Sequence, residues 1–404
     1  MKQLILAFSH FDTGGLQTLM VRMAQWGIKN NVNCLLIFET CDDNMKNICK
    51  QENIHFLQSF DKRKIKNKIE EMSAKSDDIT IITFELPEFL LFEEIRLKYF
   101  KNVKLRHLIY NVSVSGMIYG RNIKGILGKI IYRYYKEIVE KYFNNNQVVF
   151  MDDETCLAAL KYYGIDCEDY RKYVYLLPMF ISSEPNYTTT NTLEEKTILT
   201  VTRAAFPYKG YVIGLIDDFC NLLNKNNKIR LEIVSFGKDY QQIIEKVNSY
   251  PVEIKNNIKL INGMSLDEIK KELKKAYCYI GMGTTILDAA NEGIPAIVTW
   301  HSTMEDVCSG FFHDNPRVVG RAGKGISGEE LLQKCISLSE EEYTEIRKKT
   351  YTGYKSNYDI NLIIPQILNR TLIKYNVILN FKILLFHIII FKIRKLRRKI
   401  LKLG

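Results

Sequence analysis

Arg203 and Lys209 lie in the run Arg-Ala-Ala-Phe-Pro-Tyr-Lys-Gly-Tyr, directly after the β-branched stretch Ile198–Thr202. Two cations fixed where a strand ends and a helix begins suit a diphosphate, because they stabilise negative charge that grows on a departing group. The plainer reading is a pair of solvated loop charges. A second candidate is Gly281-Met282-Gly283-Thr284-Thr285-Ile286-Leu287-Asp288. Here Gly283 closes a turn, Thr284 or Thr285 is expected to cap a helix, and the free amides of that helix start can hold a phosphate. Asp288, one turn in, is placed to accept hydrogen bonds from ribose hydroxyls, or else to complement the helix dipole. A third is His10-Phe11-Asp12-Thr13-Gly14-Gly15, where Gly14 and Gly15 are expected to turn the backbone tightly and open helix-start amides to an anion. His10 beside that loop is a cleft candidate. His107, inside an apolar run, reads as a structural histidine, and Asp152 and Asp153 read as helix caps.

The elements that must position these residues alternate along the chain. Leu4–Phe8, Cys34–Phe38, Ile79–Phe84, Lys104–Tyr110 and Gln147–Phe150 read as strands, and Leu16–Ile28, Lys64–Ala74, Ile123–Phe143 and Glu154–Tyr163 as helices. Strands apolar on both faces imply parallel sheets covered on each side. The rhythm breaks in a Ser-, Thr-, Asn- and Pro-containing stretch, placing a linker at 181–196 between an N-terminal domain (1–180) and a C-terminal one (197–355). It restarts with strands at Thr197–Thr202, Arg230–Ser235, Lys259–Ile261, Tyr277–Ile280 and Ala296–Thr299, and helices at Tyr211–Leu223, Tyr240–Val247, Ser265–Lys275 and Thr285–Asn291. A closing helix is expected over 356–371. The fold class is therefore α/β, with two Rossmann-like doubly wound domains facing a cleft and ligands beyond the carboxyl ends of the strands.

The net charge of +11 over 404 residues is local. Nine Lys/Arg and no acid fall within 372–404, so removing them from +11 leaves +2 for the rest. A nearly neutral body argues against a nucleic-acid partner. Asn376, Asn380, His387, Arg394 and Arg398 form a narrow polar stripe on an apolar helical pattern. The uninterrupted apolar run Ile383–Phe391 is too short to span a bilayer. The tail is expected to lie on an anionic membrane surface, with a docking helix for another chain and a spanning segment as alternatives. The scattered cysteines read as reduced thiols, which fits a cytoplasmic protein held on the inner face of the membrane.

Taken in order, Gly14-Gly15, Val201-Thr202-Arg203 with Lys209-Gly210, Glu232-Ile233-Val234-Ser235-Phe236-Gly237, and Gly281 through Leu287-Asp288-Ala289-Ala290 to Gly293-Ile294-Pro295 resemble glycosyltransferases of the GT-B fold. The resemblance is to family 4 of bacterial polysaccharide and lipopolysaccharide synthesis, over roughly residues 1–355. It implies a nucleotide-diphosphate sugar held mainly by the second domain, without a metal or other cofactor, and a lipid-linked or oligosaccharide acceptor held mainly by the first. Arg203 and Lys209 match the diphosphate pair, Asp288 the ribose-contacting glutamate, and Gly14 and Gly15 the loop facing the donor phosphates. The sequence departs from that pattern where Ile280 and Gly281-Met282-Gly283 offer no carboxylate for the first of two glutamates. Retention is favoured over inversion. Inversion would call for a base such as His10 or Asp12. A non-catalytic glycosyltransferase-like subunit and a nucleotide-sugar epimerase are the other readings.

Overall fold

The computed structural model describes residues 2–12, 14–75, 78–100, 105–118, 125–185, 187, 196–225 and 228–373. The chain divides into two compact units, Met1–Phe180 with Ile360–Gly404, and Ile181–Asp359.

The first unit is built on a six-stranded sheet of β1 (Gln3–Ala7), β2 (Asn33–Phe38), β3 (His55–Gln58), β4 (Ile79–Thr83), β5 (Leu105–Asn111) and β6 (Val148–Phe150). The strand order is β3-β2-β1-β4-β5-β6, and every pairing is parallel. Every residue of β1 and β4 is buried, so helices must cover both faces of the sheet. Those helices are α1 (Gly15–Lys29), α2 (Asp43–Gln51), α3 (Lys62–Ser73), α4 (Leu86–Tyr99), α5 (Gly125–Asn144) and α6 (Asp153–Tyr163). Because the order reverses between β1 and β4, the loops leaving those two strands part and open a crevice at the carboxyl edge.

The second unit repeats the plan with β7 (Lys196–Arg203), β8 (Ile229–Phe236), β9 (Ile258–Asn262), β10 (Cys278–Gly281) and β11 (Ala296–Thr299), ordered β9-β8-β7-β10-β11. Two further strands, β12 (Val307–Phe311) and β13 (Ile326–Ser327), extend this sheet as an antiparallel edge; like β3 of the first unit, they are absent from the sequence reading. Its helices are α7 (Tyr211–Leu223), α8 (Tyr240–Asn248), α9 (Val252–Lys255), α10 (Leu266–Leu273), α11 (Thr284–Asn291), α12 (Gly328–Ile336) and α13 (Glu340–Tyr358). The reversal here falls between β7 and β10, which puts the two motif loops of this unit side by side.

Residues 356–371 do not form one closing helix. The helix α13 ends at Tyr358, Asp359 leaves helical geometry at φ −59°, ψ 116°, and α14 (Ile360–Leu368) begins anew within the first unit. There it is tied down by Ile360 N–H donating to the Met179 carbonyl (2.8 Å) and by Trp26 Nε1–H donating to Asn361 Oδ1 (3.1 Å). The start of the expected linker belongs to the second unit, where Ser182 N–H donates to Asn291 Oδ1 and Tyr351 donates to the Ser182 carbonyl. The rest of that linker, 186 and 188–195, lies outside the described residues, as does the expected membrane tail beyond Ile373. Among the described residues no helix is long and apolar enough to cross a membrane. All nine cysteines are free thiols.

Candidate functional site

Arg203 is the last residue of β7 and is exposed; the chain then loops through Lys209 into α7. The loop is braced from two sides. Asp239 accepts a hydrogen bond from Phe206 N–H (2.7 Å), and the Tyr208 carbonyl accepts one from Ser302 N–H (2.8 Å). Gly210 packs so closely on the 303–304 backbone that a Cβ there would stand 2.6 Å from the Thr303 carbonyl and 2.3 Å from Met304 Sδ. Among the described residues neither Arg203 nor Lys209 pairs with a carboxylate. Burial, and then the positive charge of Arg203 nearby, hold the Lys209 ammonium below the usual lysine range. Two like charges held together without a counter-ion leave a local positive field that an anion would relieve.

The glycine loop after β10 lies beside this one, since β7 and β10 are adjacent parallel strands with Leu199 opposite Tyr279. The expected threonine cap is not present. Gly283, at φ +72°, is the N-cap of α11 and has no side chain to offer, while the Thr285 hydroxyl donates to the Met282 carbonyl (3.1 Å). The positive φ is the reason glycine stands here. The consequence favours ligand binding: among the described residues no hydrogen bond takes up the Thr284 and Thr285 amides, and in helix-start geometry these suit an anion. Gly283 N–H donates to the Val319 carbonyl (2.6 Å), which fixes the loop. Asp288 is half-buried one turn along α11, near enough to Tyr279 that its charge joins burial in keeping that phenol protonated. Ile280 is fully buried.

In the first unit, Gly14 is the N-cap of α1 in extended geometry (φ −174°, ψ 174°), and neither Gly14 nor Gly15 has a positive φ. The tight glycine turn expected from the sequence is therefore absent, because this backbone is open to any residue. A Cβ on Gly15 would meet nothing within 4 Å, so that side of the helix start is open to approach, whereas a Cβ on Gly14 would stand 2.7 Å from Gln17 Oε1. His10 is exposed and its Nδ1 lies 3.0 Å from Thr40 Oγ1. Asp12 is exposed in the same loop.

His107 sits inside the core and not at an edge. Its Nδ1 is 2.7 Å from Glu93 Oε1, its Nε2 is 3.3 Å from Thr83 Oγ1, and Phe89 stacks on the ring at 4.3 Å. Asp152 caps α6 by accepting from Thr155 N–H (2.7 Å). Among the described residues no three His, Cys, Asp or Glu side chains cluster as metal ligands.

Sequence reasoning missed two features. Asp239, which pins the Arg203–Lys209 loop, stands two residues after the quoted Phe236-Gly237 motif, which was the nearest available signal. Glu88, in the first turn of α4, is 8% exposed and accepts from the Ser9 hydroxyl at 2.6 Å across the crevice between β1 and β4. No sequence spacing links Ser9 to Glu88.

No family model matches the chain, and no curated protein matches it by sequence. Solved structures do match over most of its length. HepE of Anabaena, in complex with UDP-glucose, shares 12% identity and a TM-score of 0.58 over 91% of this chain and 98% of that one. A variant of TarM from S. aureus, bound to fondaparinux, alpha-GlcNAc-glycerol and UDP, gives 12% and 0.59 over 91% and 99%. The lipopolysaccharide outer core galactosyltransferase WaaB gives 16% and 0.57 over 91% and 100%. Two doubly wound units of matching strand order, aligned with these structures nearly end to end, establish that the chain has the GT-B fold.

Proposed function

We propose that this chain is a glycosyltransferase that moves a sugar from a nucleotide-diphosphate donor to a lipid-linked or growing saccharide acceptor in bacterial cell-surface polysaccharide synthesis. The observation that carries the reading is the juxtaposition, at one switch point, of an unpaired Arg203–Lys209 cation pair and the free amide start of α11. This is a diphosphate site in which the field on the leaving group comes from side chains and backbone, in place before the reaction begins. The similar structures named above are of proteins bound to UDP-glucose or UDP, or acting on a lipopolysaccharide, which supports a UDP-sugar donor and a glycan acceptor.

In mechanistic terms, Arg203, Lys209 and the amides of Thr284 and Thr285 hold the diphosphate, and Asp288 takes the ribose. Gly14 and Gly15 are assigned to the donor phosphates on the strength of the motif alone. Retention is the favoured outcome: the acceptor hydroxyl attacks from the face the diphosphate leaves, and a diphosphate oxygen receives its proton. His10 is assigned to the acceptor. The chain works on the cytoplasmic face of the membrane, with 372–404 on anionic headgroups. Membership of family 4 fits the same motifs.

A panel of nucleotide sugars screened for thermal stabilisation tests this, since a ligand of the native state raises its melting temperature. Stabilisation by one donor, lost by about tenfold or more in affinity in Arg203→Ala and in Lys209→Ala, is the expected result. Turnover of that donor that persists in chelator supports a metal-free site. Binding without turnover on any acceptor would instead favour a non-catalytic subunit.

A further inference from the structure

The segment that braces the donor loop stands on a pair of acids that the donor site does not use. Trp300 N–H donates to the Val307 carbonyl (2.7 Å), so residues 300–307 form a closed loop at the end of β11. Its tip touches the donor loop, through Ser302 N–H on the Tyr208 carbonyl and through Thr303 and Met304 packed on Gly210. Its foot is Asp306, which is 7% exposed. The Asp306 carbonyl accepts from Gly328 N–H (2.9 Å), and Gly214 of α7 lies against the Asp306 backbone. Asp306 Oδ1 accepts from the Cys308 thiol (3.4 Å), while Oδ2 is buried and no donor reaches it. Beside it is the carboxylate of Asp218, whose Oδ2 accepts from Glu329 N–H (2.9 Å).

Two carboxylates in contact away from water cannot both stay ionised. A proton on Asp306 Oδ2 removes the conflict, because that O–H donates to Asp218 and the orphaned oxygen gains a partner. Among the described residues neither acid pairs with a lysine or arginine that could serve instead. The titratable groups facing the pair are Tyr211 on α7, Cys308 on β12 and Glu329 at the start of α12, and Lys225 neutralises Glu329 at 2.7 Å. Asp217, the next residue along α7, is paired with Lys246 at 2.6 Å. We propose that the proton shared by Asp306 and Asp218 latches the donor loop: with it the foot of 300–307 stays seated on α7 and α12, and without it the foot lifts and the brace on Tyr208 and Gly210 is lost. Such a latch regulates the donor site assigned above and rests on that assignment. Burial, and then the Asp218 charge, raise Asp306 to about 8, so the latch is closed below that pH and opens above it.

Trp300 opens the 300–307 loop, half-buried under Arg321 at 4.5 Å, and Trp26 is the other of the two tryptophans. In the Trp26→Phe full chain, fluorescence therefore reports the latch alone. Emission should change in one step with its midpoint at about 8, while circular dichroism stays constant. Saturating UDP should move that midpoint upward, since a donor that prefers the latched state favours its proton. Asp306→Asn should remove the step, because its amide donates to Asp218 at every pH and its oxygen still accepts from Cys308. In calorimetric titration the native chain should lose about tenfold in UDP affinity between about pH 7 and about pH 9 beyond the loss in Asp306→Asn, the Lys209 contribution being common to both. If Asp306→Asn does not fold, Asp218→Asn decides the matter: removing the like charge should shift the step to lower pH. An emission without a step, a step unchanged in the variants, or a step that bound UDP does not move overturns the latch alone. Failure of UDP to bind at about pH 7 overturns the donor-site reading instead.

Discussion

At Lys209, burial and the adjacent Arg203 both favour the neutral amine, whereas a bound diphosphate favours the ammonium. Donor binding is therefore coupled to proton uptake once the pH approaches the lowered Lys209 range. Calorimetric titration with UDP should show affinity falling as pH rises toward that range. Lys209→Arg should flatten the fall, because a guanidinium stays charged there. Glu93 shows the opposite outcome of burial. Burial alone would raise its carboxyl, but Arg96, at 2.7 Å, and His107 hold it down at about 2. Tyr142 donates to its second oxygen at 3.1 Å. Arg96→Met would strand this carboxylate in the core, and the denaturation midpoint should report a loss of about 3–5 kcal/mol.

Among the elements, α7 is the one on which the donor loop depends. Gly214 lets it lie against the 305–306 backbone so closely that a Cβ would be 2.3 Å from Asp306 N. Gly214→Ala should cost about 1–3 kcal/mol by overpacking, with donor affinity falling in step because the same 301–306 segment braces Tyr208 and Gly210. Asp218 on α7 accepts from Glu329 N–H at the start of α12 (2.9 Å), beside the buried Asp306. Burial, with the Asp218 charge added, pushes Asp306 up to about 8; burial also pushes Asp218 up to about 6. Both folded values exceed the ordinary 3.8, so the folded state binds protons more tightly than the unfolded chain. The stability this brings is complete below the ordinary carboxylate range and is lost as pH rises through about 6 and then about 8. Denaturation midpoints from about pH 5 to about pH 9 should fall in the wild type and change less in Asp306→Asn.

Across the whole molecule, each unit has its own buried apolar clusters, centred on Tyr211–Phe219 and β8 in one and on Phe89, Tyr135 and Tyr142 in the other. Separate cores imply separable unfolding events. UDP should raise the melting of the Ile181–Asp359 unit more than that of the other, as differential calorimetry can show. The basic tail contributes at the same scale. Deleting 374–404 should abolish salt-sensitive sedimentation with anionic vesicles while UDP affinity stays within about twofold.

Apart from β3, whose residues are exposed or half-buried, and the antiparallel edge, the strands of both sheets were legible in the sequence, as were helices α1, α6 and α7 and the two donor loops, because a strand buried on both faces or a helix with one apolar stripe writes its environment into local residue order. Helix α4 was not: Leu86, Glu88, Phe89, Leu90, Phe92, Glu93, Ile95 and Arg96 are all buried, so it has no polar face to set a period. Nor were the β12 and β13 edge strands, whose burial is mixed or absent and which the sheet alone recruits. Composition and motif order thus determined two doubly wound units and a cationic donor loop. Only tertiary structure decided that Gly283 and not a threonine caps α11, that Glu93 and Thr83 are the partners of His107, and that Ser9 meets Glu88. Those outcomes depend on contacts between residues far apart in the chain, and no local period encodes such contacts.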